Sequence, residues 1–425
     1  MLSPVADDNL ANVTTIADVD AQNASFYGEF PFPWKPVSFQ FPSDPLLASV
    51  MLCQTLGDWS HTLLPPTPRI WVAGCGTNQA VLTALAFPHS DVIGSDLSQQ
   101  SLDICANVAR GMNIRNLDLR RESINDAQHR DNLDLIICTG VIHHTADPEA
   151  ALRVLSNALK PSGILELMVY NRFHRIPSSA AQAAIRLMRS GPGGTDFASA
   201  LDFARRVIAN LPPDGILSRA FAPLVNGPTA MIADTLLQPV EYAFTVSSLA
   251  DLAKKCGLTV LVPCLNEQAK ATGRLSWNMH WRDSELQRCY DSLDDLTRWQ
   301  ITNLLQLEAS PMLWFYLSRR GPEARKSEAQ IAASFLDTGF EKTNATQRQY
   351  LRRDDGRYAL SPRTAAYTIG PDRASISAII DAARPDLPMW DIFARLGLST
   401  DFRTVHDALL RLTTPQFPFL KAVRS

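Results

Sequence analysis

Between Arg69 and Tyr170 the chain alternates short β-like runs with helical stretches, and this alternation constrains the fold more than any other feature. RIWVAG (69–74), DVIGSD (91–96), LDLRRE (117–122), LDLIICTGVI (133–142) and ILELMVY (164–170) read as strands. NQAVLTALAF (78–87), QQSLDICANVARGM (99–112) and PEAALRVLSNAL (148–159) read as the helices between them. The fourth strand is apolar enough to be buried on both faces, as parallel strands are. Strict β/α alternation predicts an α/β fold with a doubly wound parallel sheet that binds ligands beyond the strands' carboxyl ends. Helical segments at 176–237 read as an insertion. A helix at 246–256, a strand at 258–264, a helix around 290–308 and a strand at 311–318 then complete a unit spanning 65–320.

The flanks differ from this centre. Residues 1–64 hold seven acids against one base, Lys35, whereas 322–425 hold 15 bases against 12 acids. Two end modules are expected. At the front, a loosely ordered stretch (1–25) precedes an extended strap of aromatics and prolines (26–42) and a helix in 45–63. At the back, residues 330–425 read as a small α+β domain, loosely winged-helix-like, with Arg348, Arg352, Arg353, Arg357 and Arg363 near its start. A net charge of −3 supplies no bulk attraction to nucleic acid. Seven scattered cysteines without a C-x-x-C pair argue against a disulfide framework or a structural zinc. No signal-peptide pattern opens the chain, and no run approaches the ~20 apolar residues of a membrane span. A cytoplasmic protein is expected. Its oligomeric state is not legible.

The first strand ends in V-A-G-C-G-T-N-Q (72–79). Such a turn brings backbone N–H groups close to a ligand. A dinucleotide fingerprint would carry a third glycine where Gln79 stands, which weakens a nicotinamide reading. Asp96 closes the second strand, placed to accept the two hydroxyls of a ribose, although it also fits a helix N-cap. No metal site is indicated, since the adjacent histidines lack a carboxylate or thiolate set.

The series continues with E-S-I (122–124), C-T-G-V-I-H-H (138–144), L-K-P-S-G (159–163), M-V-Y (168–170) and D-T-L-L-Q-P-V-E-Y-A-F-T-V (234–246). Over about 26–320 the chain resembles the class I, Rossmann-like S-adenosylmethionine-dependent methyltransferases. It is most similar to bacterial small-molecule-type enzymes, including methyltransferase domains attached to tetratricopeptide repeats. The resemblance implies a seven-stranded sheet and S-adenosyl-L-methionine as cofactor. It places Ala73, Gly74, Cys75, Gly76 and Asn78 at the methionine end and Asp96 at the ribose. Leu97, Ser123 and Ile124 would flank the adenine, and Cys138, Thr139 and Gly140 would lie under the sulfonium. Leu97 and Ile124 also fit plain core positions. Two departures stand out: Val72 replaces an acid many such enzymes carry, and Asn78 replaces the third glycine of their loop. Asn tolerates a positive φ, so the turn is expected to survive.

Methyl transfer from a sulfonium is an in-line displacement, for which alignment of the acceptor matters most. His143 and His144 follow the fourth strand, where an imidazole suits a general base, or equally a turn cap and a packed ring. Tyr170 and Arg172 leave the fifth strand at the expected acceptor side, where Arg172 fits a carboxylate or phosphate contact or equally a solvated residue. Tyr27 and Trp34 belong to the strap, which fits a lid over the cofactor or equally a packed N-terminal strap. A small-molecule acceptor leads; a peptide, protein or RNA acceptor presented by the C-terminal domain, and a silent binding scaffold, are the alternatives.

Overall fold

The computed structural model describes residues 15–33, 36–189, 196–307, 310–370 and 374–423. The chain opens with α1 (Ile16–Glu29), β1 (Ser38–Pro42) and α2 (Leu47–Thr55). The sheet unit then runs β2 (Ile70–Ala73), α3 (Gln79–Ala86), β3 (Val92–Asp96), α4 (Gln99–Gly111), β4 (Leu117–Arg121), β5 (Leu133–Thr139), α5 (Pro148–Ala158) and β6 (Leu159–Tyr170). The insertion comprises α6 (Arg172–Arg189), α7 (Phe197–Ala209), α8 (Ile216–Phe221) and α9 (Thr229–Leu236). After it come α10 (Val246–Lys255), β7 (Thr259–Pro263), α11 (Glu267–Thr272), α12 (Ser284–Asp291), α13 (Asp295–Leu305) and β8 (Met312–Ser318).

These seven strands form one sheet in the order β4-β3-β2-β5-β6-β8-β7. Pairings from β4 to β6 are parallel, and β8 runs antiparallel to both β6 and β7. The order reverses between β2 and β5, so the crevice for a ligand lies beyond Ala73 and Thr139. Along β5, Leu133, Ile136 and Cys138 face one apolar layer while Leu135 and Ile137 face the other. The first layer holds Leu152 of α5, Leu249 of α10 and Trp299 of α13; the second holds Val81 of α3, Leu102 of α4 and Leu52 of α2. Full burial of one such Leu or Ile is worth roughly 1.5–3 kcal/mol, which is why a continuous apolar run settles in the middle of the sheet.

Two expectations about the ends are corrected. Residues 16–29 are helix, started by a capping box between Thr15 and Asp18, not a loose tail leading into an extended strap. Val19, Asn23, Phe26 and Phe30 supply the inward stripe of that helix. The two ends are also not separate modules. The C-terminal residues form α14 (Glu328–Leu336), β9 (Phe340–Lys342), β10 (Thr346–Arg352), β11 (Tyr358–Leu360), β12 (Ala365–Ala366), α15 (Ala374–Ala382), α16 (Met389–Arg395) and α17 (Phe402–Leu412), with short strands after them. β1 is a strand of that domain's sheet, in antiparallel register from Ser38↔Leu351 to Pro42↔Gln347. A lone strand with Phe39 and Phe41 on one face is unstable until paired; here Phe39 meets Tyr358 at 4.9 Å and Phe41 stacks on Tyr350 at 5.9 Å between centroids. Helix α2 is shorter than the sequence suggested, ending before Gly57 (φ +73°). Its Gln54 donates to the Leu420 carbonyl (3.0 Å) and accepts from the Ala422 N–H (2.7 Å).

Candidate active site

The loop after β2 turns through two left-handed glycines, Gly74 (φ +69°) and Gly76 (φ +54°). A Cβ on Gly74 would stand 2.4 Å from Val141 Cγ2, and one on Gly76 would stand 2.6 Å from the Phe32 carbonyl oxygen. Both positions therefore require glycine by conformation and by space. Ala73 and Cys75 are buried, and the Cys75 N–H donates to the Ser95 carbonyl (2.9 Å). Asn78 opens α3 at φ −151°, so the expected left-handed turn at this position is not needed.

Asp96 ends β3 with one carboxylate oxygen accepting from the Gly76 N–H and the other from the Ser98 N–H, both at 2.8 Å. Burial raises its pKa, against the pull of those N–H groups. Each oxygen keeps a second lone pair for a hydroxyl donor. Half-buried Leu97 follows, and across β4 lie Ser123 and Ile124, both buried. Glu122 beside them has a buried carboxylate oxygen without a partner. At the end of β5, Thr139 and Gly140 (φ +80°) remain, and the Gly140 N–H donates to the Met168 carbonyl (3.1 Å). The Cys138 side chain points into the core layer of α5, and burial pushes its thiol to about 12, so it offers its neighbour the backbone alone.

Helix α1 closes over this edge. Ser123 donates to Asp20 (2.6 Å), Ser98 donates to the Tyr27 carbonyl (3.2 Å), and Asn23 donates to the His144 carbonyl (2.7 Å). Just beyond it, the Phe32 and Pro33 carbonyls accept from the Thr77 N–H (3.3 Å) and hydroxyl (2.6 Å). Trp34 lies outside the described residues.

After Gly140 comes a buried cluster of polar side chains. His143 is fully buried, its ring 4.2 Å from that of His144 and 4.0 Å from that of Tyr170. Neither ring nitrogen of His143 has a partner. His144 Nδ1 lies 2.9 Å from the Val240 carbonyl, which can only accept, so Nδ1 carries the proton and buried Nε2 holds a free lone pair. Burial, reinforced by His144 and Arg175, holds the His143 pKa well below the ordinary value, and burial lowers that of His144. Both imidazoles are neutral near pH 7. Tyr27 (3.3 Å) and Tyr170 (2.9 Å) donate to the two oxygens of Asp234, and Gln238 contacts the Tyr27 hydroxyl. Burial and then Asp234 raise both phenol pKa values, so both stay protonated donors.

Arg172, half-buried, opens α6 with its N–H on the Phe244 carbonyl (2.8 Å). The arginine that joins the cluster is Arg175, one turn on, 4.2 Å above the Tyr170 ring and paired with Glu241 through two nitrogens. Burial opposes the charge of Arg175, but Glu241, Tyr170 and Asp234 together outweigh it and the pKa rises. The structure thus joins Tyr27, His143, His144 and Tyr170 in one cluster. It adds Asp20, Asn23, Arg175, Asp234, Gln238 and Glu241, which the sequence did not single out by residue. No group of three or more side chains suited to a metal occurs among the described residues, and none of their helices is long and apolar enough to cross a membrane.

Residues 71–165 match the methyltransferase domain family. An uncharacterized protein of Synechococcus is 28% identical over 250 residues, 56% of this chain and 57% of its own length. The tRNA 5-carboxymethoxyuridine methyltransferase of Escherichia coli is 31% identical over 128 residues, 29% of this chain and 49% of its own. A ubiquinone biosynthesis O-methyltransferase of Cereibacter sphaeroides is 29% identical over 150 residues, 33% of this chain and 59% of its own. The chain thus spans less than two thirds of the length of each of these relatives. Among solved structures, PKMT2 from Rickettsia typhi in complex with AdoHcy superposes with a TM-score of 0.58 over 92% of this chain and 78% of that one, at 14% identity. That likeness shows the fold.

Proposed function

We propose that this chain, whose residues 71–165 form a methyltransferase domain of the class I, Rossmann-like type, moves a methyl group from S-adenosylmethionine to a small acceptor. The observation that carries this reading is the buried cluster of polar side chains after the glycine-ended fourth strand of the series. In it a fully buried imidazole, His143, has two nitrogens with no partner. Leaving such groups unpaired costs about 1–3 kcal/mol each, so their presence argues for a ligand that pairs them.

The residues present fit the cofactor. The left-handed Gly74–Gly76 turn would carry its amino-acid end, Asp96 keeps lone pairs for the ribose, and Leu97, Ser123 and Ile124 offer an edge for adenine. The backbone at Thr139 and Gly140 would lie nearest the sulfonium. When bound, S-adenosylmethionine supplies an electrophilic methyl group. The rest falls to the protein: α1 excludes water, Tyr170 and the imidazoles orient the acceptor, and the lone pair of His144 Nε2 or of His143 can take its proton.

The test is calorimetry with S-adenosylhomocysteine, followed by transfer of labelled methyl groups to candidate acceptors. Wild type is expected to bind one equivalent, and His143→Ala to lose turnover at unchanged affinity for S-adenosylhomocysteine. Absence of binding by either form of the cofactor would leave the silent-scaffold reading standing. A second reading, a macromolecular acceptor, draws on a cleft of about 1010 Å³. It reaches from Met312, the strand partner of Tyr170, to Asp401–Asp407 of the C-terminal domain. Gln268→Trp, which fills that cleft, would abolish transfer to a macromolecule and spare a free small acceptor.

A further inference from the structure

Helix α1 is tied to the carboxyl edge of the sheet by side chains, and one tie ends on the edge offered to adenine. The Ser123 hydroxyl donates to Asp20 Oδ2 at 2.6 Å, although 103 positions separate the two residues in the chain. Ser123 spends its single proton there, and its oxygen accepts from the Asn125 N–H (3.2 Å). It therefore aims the carboxylate and has no proton left for a ligand. The other Asp20 oxygen, Oδ1, has no partner among the described residues. Adenine presents an exocyclic amino group with two N–H bonds, and such donors are costly to leave unpaired in a site. Leu97 and Ile124 have no side-chain acceptor to give it. The Leu97 and Ser123 carbonyls already accept from the Arg121 guanidinium (3.4 Å) and the Asp126 N–H (3.1 Å). Two carboxylates remain, Asp20 and Glu122. Glu122 makes no side-chain hydrogen bond among the described residues that would aim it, whereas Asp20 is held by Ser123. Asp20, Leu97 and Glu122 are all only half-buried, so the edge between them is not packed shut by protein.

We propose that Asp20, a residue of the covering helix and not of the sheet, determines base specificity by accepting the exocyclic amino group of adenine on Oδ1. This rests on the methyltransferase reading above and on its adenine edge at Leu97, Ser123 and Ile124. Recognition of the base and seating of α1 then become one event. The same helix is fastened further along by Asn23, which donates to the His144 carbonyl, and by the Tyr27 carbonyl, which accepts from Ser98. A nucleoside without the amino group would leave Oδ1 facing nothing, or facing another acceptor.

The test compares S-adenosylhomocysteine with S-inosylhomocysteine, which carries a carbonyl oxygen in place of the amino group. Both are titrated calorimetrically into wild type, Asp20→Asn, Glu122→Gln and Asn23→Ala. Wild type is expected to prefer S-adenosylhomocysteine by about tenfold or more. In Asp20→Asn the amide oxygen takes the Ser123 proton and the NH2 turns to the base, which suits a carbonyl, so the ratio should fall to about one or below. Glu122→Gln should keep the preference. Asn23→Ala cuts another tie of α1 without touching the base, so it should weaken both ligands alike and also keep the preference. Binding of the two ligands by wild type within about threefold of one another overturns the proposal, as does an Asp20→Asn protein that retains the wild-type ratio. Loss of the preference in Glu122→Gln overturns it by giving the amino group to that carboxylate. Loss in Asn23→Ala overturns it by making the preference a matter of docking α1. Failure of wild type to bind either ligand overturns the methyltransferase reading instead, and is distinguished at the first titration.

Discussion

Replacing Gly76 with alanine tests whether the segment after α1 is seated on the glycine loop. Two costs follow from the geometry. At φ +54° an L-residue pays about 1–2 kcal/mol for its backbone conformation. The new methyl group would also lie 2.6 Å from the Phe32 carbonyl oxygen, nearer than real Cβ contacts come, and backbone must move to admit it. Overpacking of that kind costs roughly 1–3 kcal/mol. The sum, about 2–5 kcal/mol, is a large part of the 5–15 kcal/mol by which domains are typically stable. Gly257 supplies the control: its φ is +71°, but a Cβ there meets nothing within 4 Å, so Gly257→Ala bears the backbone cost alone. Urea denaturation of both variants isolates the contact as their difference, expected at 1 kcal/mol or more. Equal losses in the two variants would refute the seating of Phe32 on Gly76.

Four further outcomes are expected. Asp96→Ala removes a carboxylate aimed by two N–H groups; with charge-assisted hydrogen bonds worth about 1.5–3 kcal/mol, S-adenosylhomocysteine should bind roughly 10–100-fold more weakly by calorimetry. Glu241→Gln strands the buried Arg175 charge and should cost about 3 kcal/mol in urea denaturation. Glu166 is raised to about 7, chiefly by burial, with the Trp314 N–H opposing. Its protonated form favours the fold, so its contribution is complete below the ordinary value of 4.5 and is lost as pH rises through 7. Glu166→Gln should flatten that fall in denaturation curves between pH 5 and 8. Six of the seven free cysteines are buried and only Cys289 is exposed, so a thiol reagent should label the native protein once.

Sequence alone carried the sheet, because parallel strands buried on both faces leave apolar runs such as LIIC (135–138), and it carried the glycine turn and Asp96. It missed α1 because that helix shows no plain amphipathic pattern: its inward stripe runs Val19, Asn23, Phe26 and Phe30. Asn23 sits in the stripe as a hydrogen-bond donor to the His144 carbonyl, where an apolar residue would have revealed the helix. The 4-3-4 spacing was the available signal. In the buried cluster, Tyr170 and the histidines were legible from their place after strands. Arg175, Asp234 and Gln238 come from helices or a loop of the insertion, where no local pattern says which way a polar side chain turns. Tertiary packing alone brings Tyr27 and Asp234 together. The pairing of β1 with β10 was hidden for the same reason, since the sequence reads residues 26–42 only as an extended strap and shows no partner for it in the C-terminal domain.

That pairing bears on how the protein comes into being. Ser38 and its neighbours leave the ribosome long before their strand partner, Leu351 and its neighbours. Throughout synthesis an aromatic strand waits with its hydrogen-bonding edge open, and non-local pairings of this kind close slowly. The segment bearing Phe32, which rests on Gly76, is held on one side by α1 and on the other by this late strand. A nascent chain that has already assembled its sheet therefore still lacks the anchor for the cover of its glycine loop. The cover of the glycine loop is fastened only once β10 has been made, and a product truncated before β10 would be a sheet with an unfastened cover and a free edge prone to pairing with other chains.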